Sequence, residues 1–292
     1  MGYDFFDYED MEEGFYDFGE EEWYEEWPRD VKIDEAKEML VRFFNERGEE
    51  VFYLKQLEVL FEKQPYPYQE RSYPFHWTIG KAVKELIGER FLGMEEVPLL
   101  RGSRAKFVFN RKLRYRRRQI NERIEVIREY SDPVIARAFG LQAEVLFLNA
   151  LALRGFLPKG RNTNEYRGRK WTKTGEDLDF ILERDDVAYG CEVKNTWDYI
   201  PRDELDIKLE MCGFLGIKPV FIMRSSPKTY NNEIIQRGGD AMIFETQIYP
   251  FGQRNLVNRI REVLDLPVDC PRAIPEGIID RFIRWHDRKG RL

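Results

Sequence analysis

Residues 176–194, EDLDFILERDDVAYGCEVK, decide the fold of the C-terminal half of the chain. Two apolar runs flank the polar turn 183–186, and this pattern predicts two antiparallel strands joined by a tight connection. Side chains two residues apart on a strand point to the same face, so Glu192 and Lys194 share one face of the second strand. The turn can bring Asp179 of the first strand opposite Glu192.

The acidic pair on these strands predicts a bound cation, and a salt-bridged strand face is the alternative. Two carboxylates that meet inside otherwise apolar strands repel each other and are poorly solvated. A hard divalent cation relieves both problems, with Asp179, Glu192, the backbone carbonyl of Val193 and water as ligands. Asp177 is the competing candidate for the position of Asp179. Lys194 lies beside the pair, where it could orient or deprotonate an attacking water and neutralise charge developing on a phosphate.

This arrangement resembles the PD-(D/E)XK, or restriction-endonuclease-like, nuclease superfamily, whose pattern is a helix, a strand with an Asp, and a strand with Glu-x-Lys. Asp179 and residues 192–194 match it, while Leu178 stands where the family has the proline that names the motif. Many members carry a further acid on the first core helix. Glu144 is placed for that role, and a solvated helix residue is the equal alternative.

The resemblance implies a metal-dependent DNA endonuclease close in kind to Mrr-like and archaeal Holliday-junction-resolvase-like enzymes. Mg²⁺, with Mn²⁺ as a substitute, would be held by Asp179 and Glu192, and cleavage would leave a 5′-phosphate and a 3′-hydroxyl. The implied fold class is α/β, a restriction-endonuclease-like mixed central sheet flanked by helices, over residues 131–250.

The sequence around the hairpin is consistent with an α/β sheet. Pro133 suits the first position of a helix, a polar loop is expected over 161–175, and strands and helices alternate after residue 202. Lys208 is expected at the surface, with a phosphate contact as the alternative, and 251–292 should form C-terminal helices. The predicted buried stripe of the helix after Pro133 is Val134, Ala138, Leu141, Val145, Leu148 and Ala152.

Residues 31–112 resemble a winged helix-turn-helix domain, in which the third helix enters the major groove and the wing touches the DNA backbone. A three-helix bundle that binds protein is the alternative. A linking helix over 113–130 would join this domain to the sheet. Helices are predicted at 34–47, 54–61 and 75–87, and strands at 91–100 and 106–110.

A basic run follows the third helix. Nine bases and no acids lie between Arg101 and Arg118, a density that favours phosphate contacts and counterion release, although a solvated face is the alternative. The candidate nucleic-acid-binding residues are Lys81, Lys84, Arg101, Arg104, Lys106, Arg111, Lys112, Arg114, Arg116, Arg117 and Arg118.

The charge of the chain is strongly asymmetric. The net charge of −6 divides into −12 in residues 1–30, where thirteen acids face Arg29 alone, and +6 in the remainder. The acidic stretch is also rich in aromatic residues. It predicts a tail that contacts the basic DNA groove or a protein partner, or one that only keeps the chain soluble.

Cysteine and histidine counts exclude several classes of site. Three widely spaced cysteines and two histidines leave no zinc-ligand spacing and no His-based triad. The start of the chain lacks a basic signal region, and charges interrupt the apolar stretch 134–157, so we expect a cytoplasmic protein without a membrane span.

Duplex or branched DNA is the expected partner, and a homodimer would suit cleavage of both strands. Two alternatives stay open: a non-catalytic DNA-binding regulator or architectural protein, and an RNA-directed nuclease.

Overall fold

The computed structural model describes residues 31–67, 72–99 and 102–290. The acidic tail 1–30 and Arg101 lie outside the described residues, so the predictions made for them stay predictions.

The N-terminal unit has three helices and a small sheet. Sheet order is β1-β3-β2, and both pairings are antiparallel. Phe44, Phe52, Leu57 and Ile79 are among the fully buried residues of its core. β1 was not predicted, because three residues are too few to show an alternating pattern. The elements are α1 (Val31–Glu46), β1 (Val51–Tyr53), α2 (Leu54–Phe61), α3 (His76–Gly88), β2 (Leu92–Pro98) and β3 (Arg104–Asn110).

Two helices connect this unit to the central sheet. α4 (Arg117–Tyr130) begins four residues later than the predicted linking helix, and α5 (Pro133–Ala152) follows. The Asp132 side chain caps α5 by accepting a hydrogen bond of 2.8 Å from the backbone N–H of Val134.

The predicted buried stripe of α5 is wrong at its two exposed members, although Leu148 packs against the core of the central sheet. The residues that α5 buries are Ala143, Phe147 and Leu151, whereas Val134 is 75% exposed and Leu141 is 51% exposed. The helix is apolar on most of its circumference, so the sequence pattern alone could not identify the face that meets the sheet.

A mixed five-stranded sheet forms the centre of the C-terminal half. Its order is β10-β9-β8-β7-β4, with β4, β7 and β8 antiparallel and β8, β9 and β10 parallel. Helices flank it, so the α/β class with a mixed central sheet is confirmed. The remaining elements are β4 (Leu157–Thr163), β5 (Glu165–Tyr166), β6 (Arg169–Lys170), β7 (Leu178–Arg184), β8 (Val187–Lys194), α6 (Arg202–Leu215), β9 (Lys218–Met223), α7 (Lys228–Gln236), β10 (Asp240–Ile243), β11 (Gln247–Ile248), α8 (Arg254–Leu264), β12 (Val268–Asp269) and α9 (Glu276–Trp285).

The polar loop predicted over 161–175 is in part regular structure. β4 pairs with β7 along the sheet edge, with a register shift between Pro158 and Gly160, and β5 and β6 form a small hairpin. Most β4 side chains are exposed. An exposed edge strand needs no alternating apolar residues, so the sequence carried little signal for it.

The C-terminal elements close both halves of the molecule. α8 buries Leu256 and Ile260 in the core shared with α4, and α9 places Phe282 in the core of the central sheet. A π-helical turn, His286–Gly290, follows α9. His286 is fully buried there and contacts Tyr189 and Asp185 through its two ring nitrogens.

One helix of the described chain, α5, is long and apolar enough to cross a membrane by length and composition alone. This is weak evidence, because a core helix passes the same test.

Candidate active site

The hairpin of β7 and β8 brings the predicted acids together. The last aligned pair is Phe180 with Cys191, so Asp179 and Glu192 are the next residues on the two strands and share a face. Asp179 is partly buried, and its Oδ2 accepts a hydrogen bond of 2.6 Å from the backbone N–H of Val193. The β8 backbone therefore fixes the position of the Asp179 carboxyl group.

Glu192 lies between two lysines. Its carboxylate is buried, with Lys194 Nζ 3.1 Å from Oε1 and Lys208 Nζ 2.9 Å from Oε2. Glu204 of α6 is the second partner of Lys194, with Oε1 2.6 Å from Nζ. The site thus alternates acids and cations from β7, β8 and α6.

The expected surface position of Lys208 is wrong, because its side chain is only 4% exposed. Lys208 also donates a hydrogen bond to the backbone carbonyl of Asp177. Lys208 therefore links α6 to Glu192 of β8 and to Asp177, the residue that precedes β7. A signal for this was present, because Lys208 shares the buried helix face of Leu205, Leu209 and Cys212.

Glu144 reaches the same site from α5. Arg161 of β4 lies 3.6 Å from its carboxylate, which is partly buried. Glu144 also interacts electrostatically with Glu192 and Lys194. Burial raises the pKa of Glu144 above its ordinary value, although Arg161 opposes the shift.

Three carboxyl groups of the site, those of Asp179, Glu144 and Glu204, have raised pKa values. Burial, followed by the negative charges of Glu192 and Glu144, raises the pKa of Asp179 well above its ordinary value. Burial also raises the pKa of Glu204. Burial therefore makes the ionised forms of these three acids less favourable than they are in water.

The two lysines are held in their charged form. Burial disfavours an ammonium group, but Glu192 and Glu204 outweigh it and raise the pKa of Lys194 above its ordinary value. The pKa of Lys208 is raised in the same way, chiefly because of Glu192. A protonated Lys194 is a hydrogen-bond donor, which suits it to orient water or hold a phosphate oxygen and not to remove a proton.

The donor set fits a hard divalent cation. Asp179 and Glu192 supply carboxylate oxygens, the ligands that Mg²⁺ prefers. The pKa of Asp179 is raised by burial and then by the charges of Glu192 and Glu144, and a bound cation would oppose both effects. Asp177 is exposed and interacts electrostatically with Glu192 and Lys208, so it stays the competing candidate ligand. The ligand role of the Val193 carbonyl stays a prediction.

In the described part of the chain, two groups of residues outside the candidate active site bring three potential ligand atoms within 4.8 Å of one another. Glu58, His76 and Asp198 form one, but the ammonium of Lys55 already contacts both of its acids. Asp185, His286 and Asp287 form the other, where Arg184 lies 3.5 Å from Asp185 and 3.9 Å from Asp287. Protein cations compensate the acids of both groups.

The basic run 101–118 contains no acid in sequence, but in the structure acids from another strand pair with two of its arginines. Arg104 pairs with Glu96 at 3.1 Å, and Arg116 pairs with Glu95 at 3.2 Å while lying over the ring of Phe109. Both acids come from β2. The other described bases of the run are exposed, except the partly buried Lys106: Arg111, Lys112, Arg114, Arg117 and Arg118.

The N-terminal end of α3 packs against the central-sheet half. His76 stacks on Tyr199 with ring centroids 4.1 Å apart, and Trp77 meets the same ring edge-on at 5.9 Å. Lys81, one turn further along, is partly buried, whereas Lys84 is exposed. A helix that enters a major groove reads bases with its N-terminal residues, so this packing leaves only the later part of α3 for such contacts.

A buried ion pair stabilises the contact between the N-terminal unit and the central-sheet half. Arg224, fully buried after β9, forms a bidentate pair with Glu62 at 2.6 and 3.0 Å and also donates to the backbone carbonyls of Thr196 and Trp197. His76 Nε2 lies 3.0 Å from Glu62. We call Glu62, His76 and Arg224 the seam cluster.

Comparison of the chain with protein-family models, with curated proteins and with solved structures gave no match in any of the three.

Proposed function

We propose that the protein is a metal-dependent nuclease of the PD-(D/E)XK type that hydrolyses DNA phosphodiester bonds. The observation that carries the proposal is the juxtaposition of Asp179, Glu192 and Lys194 on adjacent strands, with the pKa of Asp179 raised. Strongly perturbed groups with a specific charge partner are typical of functional sites. The order of helix, Asp strand and Glu-x-Lys strand agrees with the family pattern.

Each side chain has a role in this reaction. Asp179 and Glu192 would hold Mg²⁺ or Mn²⁺, which supplies an activated water and stabilises charge on the phosphate. The ammonium of Lys194 would donate a hydrogen bond to the attacking water or to a phosphate oxygen. Lys208 and Glu204 are positioning residues, because they hold Glu192 and Lys194 from α6.

Duplex or branched DNA is the proposed substrate, held by the winged-helix unit. The exposed bases after β3 and on α4 would contact phosphates. Arg104 and Arg116 would contribute less, since β2 acids already neutralise them. We place the protein in the cytoplasm, and a homodimer would allow both strands of a duplex to be cut.

A non-catalytic DNA-binding protein is the second candidate, and one observation favours it. Both oxygens of Glu192 already have lysine partners, so a cation must compete with protein ammonium groups for this ligand.

A cleavage assay separates these functions. Labelled duplex, single strand, flap, four-way junction and RNA would be incubated with Mg²⁺ or Mn²⁺. Asp179→Asn and Lys194→Met should each lower the cleavage rate by at least about 10²-fold, the usual cost of losing one preorganised charge at a reacting centre. Lys173→Met is the matched control, because this exposed lysine pairs with Glu210 outside the site.

The possible results of this assay distinguish the candidate functions. Cleavage that persists in both site variants would contradict the site, and binding without cleavage in the wild type would favour the non-catalytic candidate. A preference for RNA over every DNA substrate would replace the proposed substrate and leave the site intact.

A further inference from the structure

Five exposed bases and one exposed aromatic ring lie together between the end of β3 and the first turn of α4. Within the ranges that the structure describes, the charged groups of these bases form no ion pair and no hydrogen bond. The ring of Tyr115, which is 87% exposed, lies among them. We call these five bases the exposed basic cluster: Arg111, Lys112, Arg114, Arg117 and Arg118.

The segment that carries the exposed basic cluster is held to the protein by its two less exposed residues. Leu113 packs against the core shared by α4 and α8. The guanidinium of Arg116 pairs with Glu95 and lies over the Phe109 ring. The neighbouring side chains therefore face solvent side by side, and residues 114–118 line a depression in the surface.

The acids that lie near the exposed basic cluster in sequence or across the sheet do not compensate it. Acids of β2 are already paired with Arg104 and Arg116. Glu122 lies one turn after Arg118 on α4, but no ion pair joins the two in the described chain. The first turn of α4 holds bases and no acid, the reverse of what a helix dipole favours. The surface therefore lacks an acidic partner.

The segment that precedes α1 carries the complementary chemistry. Residues 1–30 contain thirteen acids, one base and ten aromatic residues. Carboxylates match unpaired guanidinium groups, and aromatic rings lie favourably over guanidinium planes or against another ring such as that of Tyr115. A DNA backbone also matches the charge of the cluster, but a covalently attached segment has a far higher effective concentration.

The segment is long enough to reach the exposed basic cluster. Residue 31 begins α1, whose 16 residues extend about 24 Å. The chain just beyond α1 contacts Gln119, the neighbour of Arg118: the Gln119 side chain donates a hydrogen bond of 2.8 Å to the carbonyl of Glu49 and accepts one of 2.9 Å from the backbone N–H of Val51. Thirty residues can span up to about 100 Å, so the length of α1 is well within reach.

We propose that the exposed basic cluster binds residues 1–30 of the same chain, and that DNA must displace this segment to reach the cluster. Carboxylates of the segment would pair with the guanidinium groups, and one of its rings would pack on Tyr115. The acidic segment is thus an inhibitor of nucleic-acid binding. The part of the inference that concerns DNA rests on the proposed function, whereas the contact within the chain does not.

Photo-cross-linking in the full chain, without DNA, tests the contact directly. Tyr115→benzoylphenylalanine should give cross-linked peptides from residues 1–30, identified by mass spectrometry. The yield should fall in 1 M salt, where the screening length is about 3 Å. Phe251→benzoylphenylalanine is the matched control, because Phe251 is also exposed, at 47%, and its ring lies 4.8 Å from each of two arginine side chains. It should give no such peptides.

Two results of this experiment would overturn the inference. The first is an equal yield of peptides from residues 1–30 at the two positions, because it would show that the segment has no preference for the exposed basic cluster. The second is cross-linking between chains alone, detected by mixing isotopically labelled and unlabelled protein, because it would replace the proposed occupant with a second copy.

Neutralising the segment tests its competition with DNA. In the full chain, the thirteen acids of residues 1–30 would be replaced by their amides, and the dissociation constant of a blunt duplex would be measured in EDTA at fixed salt. Binding should tighten about 10-fold, as expected when a competitor at an effective concentration of about 1 mM, with a dissociation constant of about 0.1 mM, is removed.

A second background separates direct contact from general repulsion of DNA. In a chain with Arg114→Ser, Arg117→Ser and Arg118→Ser, the contact is already lost, so neutralising the segment should change DNA affinity by less than about 2-fold. Equal tightening in both backgrounds would overturn the proposed displacement. A chain that binds no duplex at all would contradict the proposed function, and the cross-linking result would still decide the contact within the chain.

Discussion

The candidate active site and the seam cluster are both buried groups of acids and bases, yet they treat their carboxyl groups in opposite ways. Burial alone would raise the pKa of Glu62, but hydrogen bonds from His76 and Arg224 outweigh it and lower that pKa to about 2. In the candidate active site, burial and neighbouring carboxylates raise the pKa of Asp179. The partners of the Glu62 carboxylate outweigh its burial, whereas those of the Asp179 carboxylate do not.

This difference in pKa distinguishes the structural ion pair of the seam cluster from the candidate active site. An acid whose pKa is lowered by paired cations gains less from a metal ion than an acid whose pKa is raised by burial and by neighbouring acids. Both groups are rich in charge, so the number of charged residues alone would not distinguish them.

The largest expected effect on stability is at the seam. Arg224→Met should lower the free energy of unfolding by about 3–5 kcal/mol, because it leaves the buried Glu62 carboxylate without its cation. Urea denaturation followed by circular dichroism would measure it. Arg154→Met is the control, since the pair of Arg154 with Asp280 is substantially exposed and should cost less than about 1 kcal/mol. Equal losses in the two variants would remove the distinction between buried and exposed pairs.

The second expected effect is a loss of stability in acid through the seam cluster. Because the pKa of Glu62 is lower in the folded chain than in the unfolded one, its contribution is fully present above about pH 4.5 and is lost as pH falls towards 2. A shift of this size corresponds to roughly 3 kcal/mol. The free energy of unfolding of Glu62→Gln should therefore fall less steeply than that of the wild type over this window. Parallel curves would contradict the assignment.

The third expected effect is stabilisation of the folded chain by a divalent cation bound at the candidate active site. Mg²⁺ at about 100 times its dissociation constant should raise the free energy of unfolding by about 2.7 kcal/mol, since it binds only the folded chain. Thermal melting with and without Mg²⁺ would measure the gain, which should vanish in Asp179→Asn and persist in Arg154→Met. A gain of the same size in Asp179→Asn would place the cation elsewhere.

The smallest expected effect is the gain in stability when the Asp179 carboxylate is removed. Asp179→Asn removes a carboxylate from a repulsive site and keeps an oxygen to accept from Val193, so it should raise stability by about 0.5–2 kcal/mol in the absence of metal. Because the pKa of Asp179 is raised in the folded chain, the gain should be largest at high pH and disappear where Asp179 is protonated. Destabilisation at pH 8 would mean that the carboxylate is satisfied after all.

Local pattern was sufficient for the part of the site that lies on one hairpin. The alternation around Asp179 and Glu192 fixes which side chains share a face, and a single turn fixes their alignment. The order of helices and strands in the N-terminal unit was equally local.

The parts that pattern could not supply depend on how distant elements pack. Glu204 and Lys208 reach the site only because α6 lies on the sheet with this rotation, and an edge strand such as β4 has no apolar periodicity to reveal it. The acids of β2 neutralise Arg104 and Arg116 across a sheet, which a count of charges along the chain does not show.

The position of Arg224 has a practical consequence for anyone who divides this chain. A C-terminal fragment that starts after the N-terminal unit would keep a fully buried guanidinium and lose Glu62, its carboxylate partner. Such a fragment should express poorly or aggregate, although it contains every residue of the candidate active site. Enzymology and crystallisation are therefore best attempted with both halves in one polypeptide.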